Sequence, residues 1–105
     1  MSLTNERKKE LRTIGHGLNP VVTIAGGGLS DSVLAEISRA LNDHELIKVK
    51  ILVSDREHKQ QMISELCEKA DATLVQSVGH IVLILKEAKK PKRALSNLRR
   101  PQRNK

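Results

Sequence analysis

The stretch VVTIAGGGLSDSVLAEISRAL, residues 21–41, decides the fold. Val21 to Ile24 is a short β-branched run and reads as a strand. Three consecutive glycines follow, Gly26, Gly27 and Gly28. Ser30 then stands where a helix N-cap belongs, and the helix it opens runs to about Asn42. Val33, Leu34, Ile37 and Leu41 fall on one stripe of that helix, with Glu36 and Arg39 among its polar positions. A strand that passes through a glycine turn into an amphipathic helix is the first half of a β-α-β unit.

The second half comes next. From Leu46 to Val53 the pattern switches to period two: Ile47, Val49 and Ile51 face one way, and Lys48 and Lys50 the other. Upstream, Thr4 to about Ile14 reads as a helix with Leu11 and Ile14 apolar, stopped by Gly15, Gly17 and Pro20. Downstream, Ser54-Asp55-Arg56-Glu57 has the pattern of a capping box opening a third helix. That helix buries Met62, Ile63, Leu66 and Cys67. Thr73–Val78 and Ile81–Leu85 read as two strands joined at Gly79-His80, a glycine-first hairpin turn. Ile81–Leu85 is apolar throughout, so it is expected at the centre of the sheet, covered on both faces or shielded by the chain that follows. The order α-β-α-β-α-β-β gives an α/β two-layer sandwich around a mixed four-stranded sheet, with right-handed crossovers at the β-α-β links.

The length of 105 residues fits one small domain, expected over residues 1–86, with 87–105 as a basic, flexible tail. No apolar run is long enough to span a membrane, and the first ten residues lack the apolar segment of a signal peptide, so the expected location is cytoplasmic. The single cysteine, Cys67, allows neither an internal disulfide nor a thiolate zinc site. The formal charge of +7 is unevenly placed: residues 86–105 carry nine Lys or Arg against one acid, Glu87. The other 85 residues are close to neutral. Such a tail suggests a polyanionic partner. The chain has no Phe, Trp or Tyr, which excludes recognition by base stacking on sheet aromatics. Binding to nucleic acid must lean on phosphates, sugars and shape, with stacking left to Arg or His planes.

The glycines fit neither dinucleotide motif well. The pattern G-x-G-x-x-G needs a third glycine where Asp31 stands, and no Lys follows as in a Walker loop. Two readings remain open from the loop alone. One is a tight turn that needs positive φ. The other is a clamp in which a sugar-phosphate backbone lies against bare N–H groups. Asp31 repels a phosphate from the helix end, which puts the phosphate on the loop itself.

Residues 11–51, LRTIGHGLNPVVTIAGGGLSDSVLAEISRALNDHELIKVKI, closely resemble the YhbY family. This family is the bacterial stand-alone form of the chloroplast RNA splicing and ribosome maturation (CRM) domain. The shared pattern is L-R-x-x-x-H-x-L-x-P-V-V, then a glycine loop, a V-L-x-E-I helix and H-E-L-I-K-V-K. The family's GxxG loop falls on Ala25 to Gly28, with alanine in the first position, and Asn19 stands where many relatives have lysine. The resemblance implies a fold similar to the C-terminal domain of translation initiation factor three. It also implies RNA binding without catalysis. Bacterial members are associated with precursors of the large ribosomal subunit, and plant relatives with group II intron splicing.

The expected RNA contacts follow from charge and position. Lys8, Arg12 and His16 are spaced i, i+4, i+8 on one line of the first helix. Gly26, Gly27 and Gly28 form the loop, and Lys89, Lys90 and Arg93 lie in the KKPKR run of the tail, which also resembles a nuclear localisation signal. Lys48 and Lys50 serve as phosphate contacts if their sheet face is open, and otherwise as a solvated face. His44 reads as a structural histidine at a helix end, and His58 and His80 as surface residues. No nucleophile arrangement, metal spacing, cofactor motif or small-molecule site is read, so the expectation is a non-enzyme without cofactors. Its expected partner is ribosomal RNA or a pre-ribosomal particle. The competing reading is a protein-interaction module that docks on ribosomal or RNA-processing proteins.

Overall fold

The computed structural model describes residues 4–25, 28–87 and 96–98. Among them seven elements follow in the expected order: α1 (Asn5–Gly15), β1 (Pro20–Ile24), α2 (Asp31–His44), β2 (Leu46–Ile51), α3 (Arg56–Ala70), β3 (Thr73–Val78) and β4 (Ile81–Leu85). Each helix begins on a side chain that accepts one of the first free N–H groups. Thr4 accepts from the Arg7 amide at 3.0 Å, and Ser30 from Val33 at 3.2 Å. In α3 the cap is Asp55, which accepts from the His58 amide at 3.3 Å. The cap read at Ser54 is therefore displaced by one residue, and with His58 at the third helical position no capping box forms. A carboxylate answers the positive end of the helix better than a hydroxyl.

The sheet has the strand order β1-β2-β4-β3. β1 and β2 run parallel, and β4 is antiparallel to both of its neighbours, β2 and β3. The α2 crossover therefore joins adjacent strands. The α3 crossover skips one position, and the Gly79-His80 turn folds β4 back into that gap. Gly79 has φ +58°, which a glycine adopts without strain.

β4 divides the core in two. Val82 and Ile84 point to the face covered by α2 and α3, where they meet Ile37, Leu41, Met62, Leu66, and Ile47, Val49 and Ile51 of β2. This is the layered pair expected from the sequence. Leu83 and Leu85 point to the other face and pack with Leu11 of α1, Leu46 and Val75. α1 is thus a partial cover on the far side of the sheet. Leu98 joins this second cluster, so β4 is covered on both faces and also shielded by the chain beyond it.

That chain returns to the domain at Ser96. Ser96 is fully buried, and its hydroxyl donates to the carboxylate of Glu45 at 2.7 Å. The Asn97 side chain donates to the Leu46 carbonyl at 2.6 Å, and the Asn97 amide to the His44 carbonyl at 2.8 Å. Glu45 closes α2 with φ +65° and is itself fully buried. A buried carboxylate persists only where hydrogen bonds replace its water.

Gly15 sets how closely α1 approaches the sheet. A Cβ placed there would lie 2.8 Å from Leu83 Cδ2, inside contact distance, and Leu83 is buried. A Cβ on Gly17, by contrast, would meet only the Ile14 carbonyl oxygen at 3.9 Å, an ordinary contact. Gly15→Val is expected to overpack this contact and cost about 1–3 kcal/mol, whereas Gly17→Val stays within about 0.5 kcal/mol. Urea denaturation of the two variants checks this.

Candidate functional site

The face of the sheet that carries α1 is only half covered. α1 lies over the Leu46, Leu85 and Val75 end and stops at Gly15. Beyond it, register brings two cross-strand rows to the surface. Pro20, Lys48, Leu83 and Gln76 form one row. Thr23, Lys50, Ile81 and Val78 form the next.

The end of α1 and these rows enclose an open cleft of about 260 Å³. Arg12 and His16 line it from the helix, Lys48 and Gln76 flank it, and Ile81 and Leu83 form its floor. The structure thus brings together three of the residues expected from sequence, Arg12, His16 and Lys48. Lys50 is exposed on the adjacent row, outside the cleft, and Lys8 is half-buried one turn before Arg12. The lysines of β2 do stand on an open face, as the phosphate-contact reading requires.

The cations of this face are unengaged. Among the described residues, ion pairs tie Arg7 to Glu10 and Glu87, and Lys69 to Glu65. Arg12, Lys48 and Lys50 have no carboxylate partner among the described residues, and no acid lines the cleft. An unpaired cation over an apolar floor attracts an anion more strongly than one in open water, because screening is weaker there.

The glycine loop leaves β1 at Ile24, whose partner is Ile51, so it emerges at the Lys50 end of the sheet. The Gly28 amide donates to the Ala25 carbonyl at 3.0 Å, which closes a turn, and Gly28 has φ +86°. A Cβ on Gly28 would meet nothing within 4 Å. Gly28 is therefore required for its backbone angle and not for close packing. Gly26 and Gly27 lie outside the described residues, as do Lys89, Lys90 and Arg93 of the tail.

Of the histidines, His58 and His80 are exposed, and the His80 ring lies 2.9 Å from the Ile51 carbonyl. His44 ends α2, with its carbonyl accepting from Asn97. Burial pushes the Cys67 thiol up from its usual pKa, which makes it a poor nucleophile at neutral pH.

Gln76 escaped the sequence reading. Strict alternation along β3 puts it on the same face as Leu74. A bulge between them breaks the alternation: Leu74 pairs with Ile84, and Gln76 with Leu83. Gln76 therefore joins Val75 on the α1 side. Only the neighbouring strand shows this shift.

Removing charge while keeping the stems isolates electrostatics from packing. Arg12→Gln combined with Lys48→Gln is expected to flatten the slope of log affinity against log salt by about 1.4 on single-stranded RNA, the value for two phosphate contacts. Folding stability should stay within about 0.5 kcal/mol. Fluorescence anisotropy over a salt series, beside a melting curve, measures both.

Comparison with known proteins places this arrangement. The model of the CRS1/YhbY (CRM) domain matches residues 3–86. A Pseudomonas aeruginosa protein named "Probable RNA-binding protein" is 47% identical over 100 residues, covering 95% of this chain and 96% of its own. A Haemophilus influenzae protein named "RNA-binding protein" is 44% identical over 91 residues, covering 87% and 92%. The solution structure of a hypothetical protein from Staphylococcus aureus superposes with a TM-score of 0.74 at 31% identity, covering 85% of this chain and 93% of that one. With a family model that spans the whole α-β-α-β-α-β-β unit and relatives matched over nearly their full length, the chain belongs to the CRS1/YhbY (CRM) domain family.

Proposed function

We propose that this protein is a non-catalytic RNA-binding protein that acts in the cytoplasm on ribosomal RNA during assembly of the large ribosomal subunit. The observation that carries the RNA reading is the set of unpaired cations, Arg12, Lys48 and Lys50, on a sheet face that α1 leaves open at the glycine-loop end. Proteins of the same family named as RNA-binding support it. The ribosomal target is an expectation from the family resemblance. No cofactor or small-molecule substrate enters this reading.

The face suits a polyanion for two reasons. The backbones that carry its cations are held by a sheet and a helix end, so little backbone order is lost on contact. The sequence of its loop, Gly26-Gly27-Gly28, carries no side chains to hold a sugar-phosphate backbone away. Phosphate contacts of this kind give affinity and register, and they carry no sequence information of their own.

Co-sedimentation with ribosomal particles tests the target. The protein should travel with large-subunit precursors and be released by RNase. Retention on the protein fraction after RNase treatment would support docking on a protein instead.

The glycine loop has its own test. Gly28→Asp and Gly28→Asn are nearly isosteric, and both tolerate positive φ better than most residues, at a cost of about 1 kcal/mol each. They differ in charge. If phosphates lie against the loop, Asp should bind RNA about tenfold or more weakly than Asn. Equal affinities would leave the loop as a turn only.

The tail is best tested by cutting after Leu98, which keeps Ser96 and Asn97 on the domain and removes Arg99, Arg100, Arg103 and Lys105. Four lost phosphate contacts would flatten the salt slope by about 3 on single-stranded RNA. An unchanged slope would show that these cations make no contact.

A further inference from the structure

We infer that the cleft between the end of α1 and the sheet is a pocket for one unstacked nucleobase, with Gln76 reading the base edge. The inference rests on the RNA reading above and extends it from phosphate contact to base contact.

The pocket has three parts that a phosphate site does not need. Its floor is aliphatic, formed by Ile81 and Leu83 with Val78 beside them. A phosphate gains nothing from such a floor, whereas the flat face of a base buries apolar area on it. Its helix side carries Arg12 and His16, whose planar groups are the stacking partners left in a chain without aromatic residues. Its far flank is Gln76, a half-buried side chain that both donates and accepts, as the edge of a base requires.

The spacing fits a single nucleotide. Lys48 and Gln76 lie on the same cross-strand row, separated by β4. Two strand spacings put their backbones about 9–10 Å apart, so Lys48 can hold a phosphate while the base lies against the half-buried Ile81 with its edge at Gln76. The volume of about 260 Å³ is slightly below the usual range for small-molecule clefts, roughly 300–1,000 Å³. It suits one base. Charge selects the same occupant: the cleft presents Arg12 and Lys48 with no acid among its lining residues.

The bulge in β3 supports the assignment. Without it, Gln76 would stand on the other face with Leu74, and the cleft would close on an apolar wall. The Gln76 side chain makes no hydrogen bond with other described residues that would explain its place by structure alone.

The test is an amide NMR titration of the full chain with AMP, GMP, CMP and UMP, with ribose 5-phosphate as the ligand that lacks a base. The nucleotides should shift the amides of Gln76, Ile81 and Leu83, and ribose 5-phosphate only those near Arg12, His16 and Lys48. Across the four nucleotides, affinity should spread about fivefold or more, as one base-edge contact provides. Gln76→Leu should collapse that spread to about twofold while leaving the salt slope for RNA unchanged. The same shifts with and without a base, or none at Gln76 and Ile81, would overturn the pocket and leave a phosphate site only. A spread that survives Gln76→Leu would overturn the role of Gln76. Failure of the RNA reading itself looks different: the unmodified chain would then fail to bind RNA or to sediment with it.

Discussion

The alternation along β2 is the constraint on which the rest of this structure depends. β2 pairs on both sides, with β1 and β4, and its odd-numbered residues Ile47, Val49 and Ile51 are buried under α2 and α3. Its even-numbered residues Lys48 and Lys50 emerge on the opposite face. A slip of one residue would exchange the two sets and drive two lysines into the apolar core without partners. The register is therefore pinned from both directions. That same register lines up Lys48 with Leu83 and Gln76, and Lys50 with Ile81 and Val78. Packing on one face thereby organises the chemistry of the other.

α1 turns that face from a bare sheet into a cleft. It covers the apolar end through Leu11 and leaves the lysine-bearing end open. Gly15 brings its last turn close to Leu83, so Arg12 and His16 overhang the floor and do not point into solvent away from it. Side-chain cations and an aliphatic floor thus meet at the end of the sheet from which the glycine loop leaves. In a chain that lacks aromatic side chains, such a combination can hold a nucleic acid without the stacking platforms that sheets more often use.

Glu45 shows how a polar residue can be structural inside a basic protein. Its carboxylate is buried at the junction of α2 and β2, and Ser96 reaches it from 51 residues away in sequence. With Asn97 bonded to the Leu46 and His44 backbone, this anchors the chain before its last basic residues.

The sequence by itself determined what local interactions control. The strands and helices, their order, the cap at Ser30, and the Gly79 turn all depend on residues a few positions apart. Hydrophobic period separated Ile47 from Lys48 before any neighbour was known. The motif from Leu11 to Ile51 carried the family, and the line Lys8, Arg12, His16 includes the two residues of α1, Arg12 and His16, that line the cleft. Tertiary structure decided the rest, because it depends on partners far along the chain. Leu11 and Leu83 set which sheet face α1 covers and how much of it. The pairing of β3 with β4 decides that Gln76 turns toward the cleft, since a bulge is invisible in one strand alone. Burial of Glu45 likewise needed Ser96, a contact that periodicity and composition do not encode.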